Sequence, residues 1–247
     1  MIFNLFRKTP SGGKVGFIVD MHSHLLPGVD DGAPDTEKSL DLIRSLQSFG
    51  YRKLITTPHI YSELYPNSPE TLKPAYHLLE TAMQEAGMDI PIRFAAEYFL
   101  DDHVDNLLRS GERLLTIHDN LVLVETSFVQ APLDLDRRLF DLQVAGYKPI
   151  LAHPERYPYL HADKQKYHEL RERGILLQVN LLSLTGYYGK PMAEVARYLI
   201  KNELVDLVGT DAHHERHTAA LQKGADTISR QLEPLIRKDK LLNLSLE

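Results

Sequence analysis

The stretch Phe17-Ile-Val-Asp20-Met-His22-Ser-His24-Leu-Leu-Pro27-Gly28-Val-Asp30-Asp31-Gly32 decides how the rest of the chain is read. Phe17 to Val19 reads as a short apolar strand, and two histidines come after it two residues apart. In an extended chain, residues i and i+2 point the same way with Cα atoms roughly 6.8 Å apart, so both imidazoles can reach one metal ion. Pro27-Gly28 then turns the chain and brings two adjacent carboxylates ahead of Gly32.

Outward from that stretch, short β-branched runs alternate with helical periodicity. A helix opens at Ala33-Pro34-Asp35, carries Leu40, Ile43, Leu46 and Phe49 on one face, and stops at Gly50. A strand over Lys53–Thr57 ends in Pro58-His59; a loop rich in Tyr, Pro and Asn runs to Ser68, and a helix starts at Pro69 and reaches about Gly87. Strands are expected at Ile92–Ala96, ending in Glu97, and at Leu121–Val124, ending in Glu125, with short helical material around Val104–Leu108 between them. After a helix from Asp134 to Gly146, the strand Lys148–Ala152 ends in His153. A helix over 164–173, a strand over Ile175–Val179 and a helix over Lys190–Asn202 come next. The last strand, Leu204–Val208, leads to Asp211 and His213, and two helical segments complete the chain.

Strands alternating with helices predict βαβ units and a parallel sheet, and seven such strands in one α/β domain suggest a barrel. His22 with His24, His59, Glu97, Glu125, His153, and Asp211 with His213 all fall at C-terminal strand ends, the face at which such barrels build active sites from βα loops. Any one of these residues alone is more simply a solvated or ion-paired side chain. Together they predict bound cations, because so many carboxylates and imidazoles gathered without one would repel each other and stay unsatisfied.

The 247 residues suit one large domain: a flexible tail over 1–15 and a single barrel over 16–247 are expected. A formal net charge of -6, with no block of Lys or Arg, argues against a nucleic-acid partner. The chain has no cysteine, which excludes disulfides, thiolate metal sites and cysteine nucleophiles, so any metal is held by nitrogen and oxygen. The apolar part of Met1–Lys8 is too short for a signal peptide and no stretch is long enough to span a bilayer, so the expected location is the cytoplasm.

The chain resembles the PHP (polymerase and histidinol phosphatase) superfamily in His22-Ser-His24, in His59 of Thr57-Pro-His, in His153 and in Asp211-Ala-His213. More narrowly, Asp20-Met-His-Ser-His24, Val29-Asp-Asp-Gly32, Ala152-His-Pro-Glu-Arg156, Ser183-Leu-Thr-Gly186 and Tyr188-Gly-Lys190 look like the PHP-type tyrosine phosphatases of bacterial capsule and exopolysaccharide operons. The likeness runs from about residue 17 to 215 and rests on the number and order of these motifs. It implies a distorted TIM-like (β/α)7 barrel holding three divalent ions. His22, His24, Glu97 and Asp211 would hold one; Glu97 would bridge to a second completed by Glu125 and His153; Asp31, His59 and His213 would hold the third. Motif position alone does not separate Asp31 from Asp30. The resemblance implies manganese, and the mixed N/O donors suit iron or zinc as well.

The activity so implied is hydrolysis of phosphotyrosine by a metal-activated hydroxide, on a bacterial polysaccharide-biosynthesis tyrosine kinase, with any membrane association only peripheral and through that kinase. A small-molecule phosphomonoesterase such as histidinol phosphatase is the alternative. Arg156 is placed to grip phosphate oxygens bidentately, against the simpler expectation of a surface pair with Glu155. Arg216 is the nearest arginine after the fourth motif, two residues closer to Asp211 than the resemblance leads one to expect. Tyr61, Tyr65, Tyr98, Phe128, Tyr157, Tyr187 and Tyr188 are expected near the rim, where each either stacks on a substrate ring or packs its own loop. His214 and His217 are assigned no role.

Overall fold

The computed structural model describes residues 16–246, so the tail expected over 1–15 lies outside the described residues. Strands β1 (Val19–Asp20), β2 (Lys53–Thr56), β3 (His59–Ile60), β4 (Ile92–Phe94), β5 (Glu97–Phe99), β6 (Leu121–Glu125), β7 (Lys148–Ala152), β8 (Leu176–Asn180) and β9 (Leu207–Gly209) are all paired in parallel. They form sheets in the orders β1-β2-β4 and β3-β5-β6-β7-β8-β9.

The two sheets are one wall. β2 and β3 are consecutive pieces of one run broken at Thr57-Pro58, and β4 and β5 are pieces of another broken at Ala95-Ala96. Backbone bonds carry the pairing across both breaks, from Ala95 N to Thr56 O at 2.8 Å and from Glu97 N to Pro58 O at 3.1 Å. The far edge returns to β1: Ser23 bridges Ala212 in parallel, His24 N donates to Ala212 O at 3.0 Å and Asp211 N donates to His22 O at 2.8 Å. The result is a distorted, closed α/β barrel with seven strand positions, and no sheet edge is left open along that seam.

Helices α1 (Thr36–Phe49), α2 (Pro69–Glu85), α3 (Asp102–Ser110), α4 (Leu135–Val144), α5 (Pro158–His161), α6 (Gln165–Glu172), α7 (Leu181–Thr185), α8 (Lys190–Lys201) and α9 (Glu215–Arg237) follow the strands in turn. Their starts are written in the sequence. Asp35 caps α1 by accepting from Lys38 N, Asp101 caps α3, and Ser68 with Thr71 forms a capping box ahead of Pro69 in α2.

Two apolar clusters divide the molecule. One lies between wall and helices; the other holds Val19, Ile55, Ala95, Leu123, Ile150, Leu176 and Leu207, one from each strand position, and fills the barrel. Period two then places the next side chains on the inside: Ala95 is succeeded by Glu97, Leu123 by Glu125, and Leu176 by Gln178 and Asn180. An apolar interior thus gives way to a polar layer at the C-terminal rim.

Some boundaries differ from expectation. Leu204 and Val205 are buried but belong to the turn out of α8, with Glu203 at φ 56°, so the last strand begins only at Leu207. The Ile92–Ala96 run is split, and Glu97 begins a new piece instead of ending the old one. The chain end forms α9 and a 3-10 turn, Leu242–Ser245, and α7, which starts directly after β8, is not foreseen by the sequence pattern. Among the described residues no helix is long and apolar enough to cross a membrane.

Candidate metal centre

The expected ligands converge. His22, His24, Glu97, Glu125, His153 and Asp211 are all buried at the rim, with His59 and His213 partly buried beside them. Five separations among His22 Nε2, His24 Nε2, Glu97 Oε2 and Asp211 Oδ1 fall between 3.2 and 3.5 Å. Four donors about 2.1 Å from one ion in tetrahedral array stand ~3.4 Å apart, so this spacing suits a shared cation.

Glu97 uses both oxygens: Oε2 lies 3.3 Å from His59 Nδ1 as well as near His22 and His24, and Oε1 lies 3.0 Å from His153 Nε2. Glu125 stands between two neighbours, Oε1 at 2.9 Å from His59 Nδ1 and Oε2 at 4.0 Å from His153 Nε2. The short His59 contact lacks hydrogen-bond geometry, and Nδ1 of both His59 and His153 is buried without a hydrogen-bond partner among the described residues. Asp31 Oδ1 lies 3.5 Å from His59 Nε2 and 3.5 Å from His213 Nε2, and more than half its side chain is exposed. His24 joins these three in a group whose donor atoms all lie within 4.8 Å of one another.

Neighbouring groups fix which ring nitrogens face inward. His22 Nδ1 donates to Gln178 Oε1 at 2.8 Å, His24 Nδ1 donates to Asp30 Oδ2 at 2.8 Å, and His213 Nδ1 donates to the Asp211 carbonyl at 2.9 Å. In each neutral ring the Nε2 lone pair is thereby left for a cation. Asp30 is fully used, since its Oδ2 also accepts from His59 N at 3.1 Å and its Oδ1 from Gly32 N at 3.0 Å.

The electrostatics ask for positive charge. Burial works against charging His59, yet Glu125 and Glu97 outweigh it and push its pKa up to about 9. Burial likewise opposes ionisation of Glu97 and Asp211, but the surrounding imidazoles, with His22 largest at Glu97 and His213 at Asp211, hold both carboxyls well below the usual range. Divalent ions would supply this charge without protonating the ligand nitrogens, so the donor set fits a metal cluster.

The backbone is strained at two of the expected ligands. His153 has φ 35° and Asp211 has φ 50°, the left-handed region that non-glycine residues rarely occupy. Each turns its side chain inward just where the strand ends. Close approach explains a glycine beneath them: a Cβ on Gly209 would lie 2.6 Å from His22 Cβ.

A cavity of about 210 Å³ opens over the cluster, walled by Asp31, Arg156, Phe128, Tyr188, His214 and His217 among others. Arg156 donates to Asp211 Oδ2 at 2.8 Å, and its guanidinium lies 4.7 Å from the Phe128 ring and 4.4 Å from that of Tyr188. The alternative, a surface pair with Glu155, does not form. Glu155 is buried and accepts from Asn180 N at 2.9 Å and Ser183 Oγ at 2.6 Å, which joins the His153 and Ser183 segments.

Arg216 is exposed and lines a separate cavity with Pro34, Lys38 and Leu42. His217, one residue on, lines the cluster cavity instead; burial and nearby His214 push its pKa down to about 3. Of the rim aromatics, Tyr98 and Tyr157 are buried, their hydroxyls accepting from Leu115 N and Thr126 N, and Tyr61 stacks on Phe99. Phe128 and Tyr188 reach the cavity, while Tyr65 stacks on His59. Sequence reading misses Gln178, His214 and His217; only a folded barrel shows that a glutamine two residues past an inward leucine, and two histidines opening a helix, meet the ligands.

Comparison with known proteins identifies the family. Residues 18–242 match the family model for capsular polysaccharide synthesis, CpsB/CapC. The chain is 30% identical over 198 residues to the tyrosine-protein phosphatase YwqE of Bacillus subtilis, covering 80% of this chain and 78% of that protein. It is 26% identical over 222 residues to the tyrosine-protein phosphatase CpsB of Streptococcus pneumoniae, covering 87% and 90%. A solved structure from work on YwqE and CpsB, described as unique metal-dependent tyrosine phosphatases, superposes with a TM-score of 0.77 at 26% identity, covering 93% of this chain and 95% of the other. An amidohydrolase from Mycoplasma synoviae shares the fold, with a TM-score of 0.53 at 14% identity, over 92% of this chain and 83% of that one.

Proposed function

The chain belongs to the CpsB/CapC family of capsular polysaccharide synthesis, and from that premise we propose how its residues work. It is a metal-dependent tyrosine-protein phosphatase, a phosphomonoesterase that splits phosphotyrosine into tyrosine and inorganic phosphate. The observation that carries this reading is the meeting of carboxylates, imidazoles and one arginine in a single ring-walled cavity.

Three ions would be held, by His22, His24, Glu97 and Asp211; by Glu97, Glu125 and His153; and by Asp31, His59 and His213. The two-sided contacts of Glu97 support a bridging role, and the free exposure of Asp31, against the saturated Asp30, supports Asp31 as the ligand. Bound there, divalent ions, with manganese the leading candidate, supply Lewis acidity and lower the pKa of water so that hydroxide is available near neutral pH.

The chain's own residues do the rest. Arg156, held between Phe128 and Tyr188, presents its free N–H groups to phosphoryl oxygens, and its bond to Asp211 ties it to the ligand layer. Phe128 and Tyr188, whose faces flank the guanidinium, exclude water from that side of the cavity. A phenolate, with a pKa near 10, needs less help in leaving than an alkoxide.

The substrate proposed is the phosphorylated tail of a polysaccharide-biosynthesis tyrosine kinase, met in the cytoplasm. A screen of phosphotyrosine peptides against histidinol phosphate and other small phosphomonoesters, with manganese present, tests the reading. Preference for the peptides is expected, and equal turnover of both classes would overturn it.

A further inference from the structure

Four histidines around the cluster fall into two tautomeric classes. His22, His24 and His213 each give the Nδ1 proton to an acceptor and turn a bare Nε2 toward the ligand layer. His217 is built the other way round. The backbone N–H of His213 donates to its Nδ1 at 3.2 Å, so Nδ1 carries the lone pair and the ring proton sits on Nε2. Among the described residues Nε2 has no partner, and the ring lines the cavity over the cluster together with Arg156.

The ring is also fixed. His214 lies against it with centroids 3.9 Å apart, and Tyr187 and Tyr188 meet it edge-on at 5.3 and 6.1 Å. Turning it over would replace Nδ1 by a carbon and strand the His213 N–H. A donor held by three neighbours and left without an acceptor needs one supplied from outside, and the Nε2–H cannot bind a cation.

The geometry points to His217 as a fixed hydrogen-bond donor, through Nε2–H, to the phosphoryl group of the substrate, sharing that group with Arg156. This rests on the phosphatase reading for the identity of the substrate. The chemistry required of the guest is simply an anionic oxygen, as phosphate has.

Two substitutions separate the donor from the support it gives His213. Asn places an oxygen where Nδ1 accepts but nothing at Nε2; Gln places an amide N–H near Nε2. The experiment measures inhibition of the manganese-loaded full chain by inorganic phosphate, kcat/KM for a phosphotyrosine peptide, and bound metal by elemental analysis. For His217→Asn, the phosphate inhibition constant is expected to rise about tenfold or more and kcat/KM to fall about as far, with metal content unchanged. His217→Gln is expected to recover most of both. An unchanged phosphate constant in His217→Asn, or a loss that tracks loss of metal and is not recovered by Gln, would overturn the proposal. Direct phosphate binding by calorimetry gives the same comparison if the peptide proves not to be the substrate, so failure of the phosphatase reading is seen separately.

Discussion

His24 Nδ1 donates to Asp30 Oδ2 at 2.8 Å, and this bond separates the roles of two adjacent acids. Asp30 spends its oxygens on His24, the His59 amide and the Gly32 amide, whereas Asp31 faces His59 and His213 across 3.5 Å gaps. Asp30→Ala is therefore expected to loosen metal by about 10- to 100-fold while leaving every ligand in place. Asp31→Ala should cost one ion outright. Elemental analysis after dialysis against limiting manganese checks both, and identical losses in the two variants would refute the division.

Glu97 turns Oε2 toward His22, His24 and His59 and Oε1 toward His153. Glu97→Gln keeps its volume and removes its charge, so turnover is expected to fall to background while circular dichroism shows an intact barrel. Near wild-type activity at full metal content would end the bridging assignment.

Arg156 and Arg216 should behave differently. Arg156 lies in the cluster cavity, stacked between two rings, and Arg216 lies outside it. Arg156→Ala is expected to lower kcat/KM for a phosphotyrosine peptide by about 10²-fold with metal retained. Arg156→Lys should recover little of this, since an ammonium has neither the planar fork nor the stacking face. Arg216→Ala should change kcat/KM less than about threefold, and steady-state kinetics on the three variants decides the matter.

Gly209 sits where a methyl group would fall 2.6 Å from His22 Cβ and 3.1 Å from Gln178 Nε2. Gly209→Ala is expected to cost about 1–3 kcal/mol by overpacking and to lower Tm by about 2–4 °C for each of them. Weaker metal binding should accompany it, because the residues pushed apart are a proposed ligand and the group orienting it. A melting curve and metal content matching wild type would contradict this.

Much of the centre is legible in the chain because period two does the placing. Once Leu123 or Ala95 is inside, Glu125 or Glu97 two residues later is inside as well, and His22 with His24 declares itself by the same spacing. His153 and Asp211 are identified by motif, but the left-handed backbone that aims them is invisible to periodicity. Asp30 and Asp31 cannot be told apart in the sequence, since what divides them is a hydrogen bond to His24 that exists only after the turn closes. His217 escapes notice for a related reason: its value lies in the amide of His213 and the rings packed against it. Leu204 and Val205 mislead in the opposite direction, because burial in a helix-exit turn leaves the same apolar signature as a strand.

The most direct test is a metal titration of the chelated full chain, with hydrolysis of a phosphotyrosine peptide as the readout. Stripped protein is expected to be inactive, and activity should return as manganese fills the cluster and reach its plateau near three equivalents. Full activity in stripped protein, or a plateau unaffected by Glu97→Gln, would contradict a metal-cluster phosphatase.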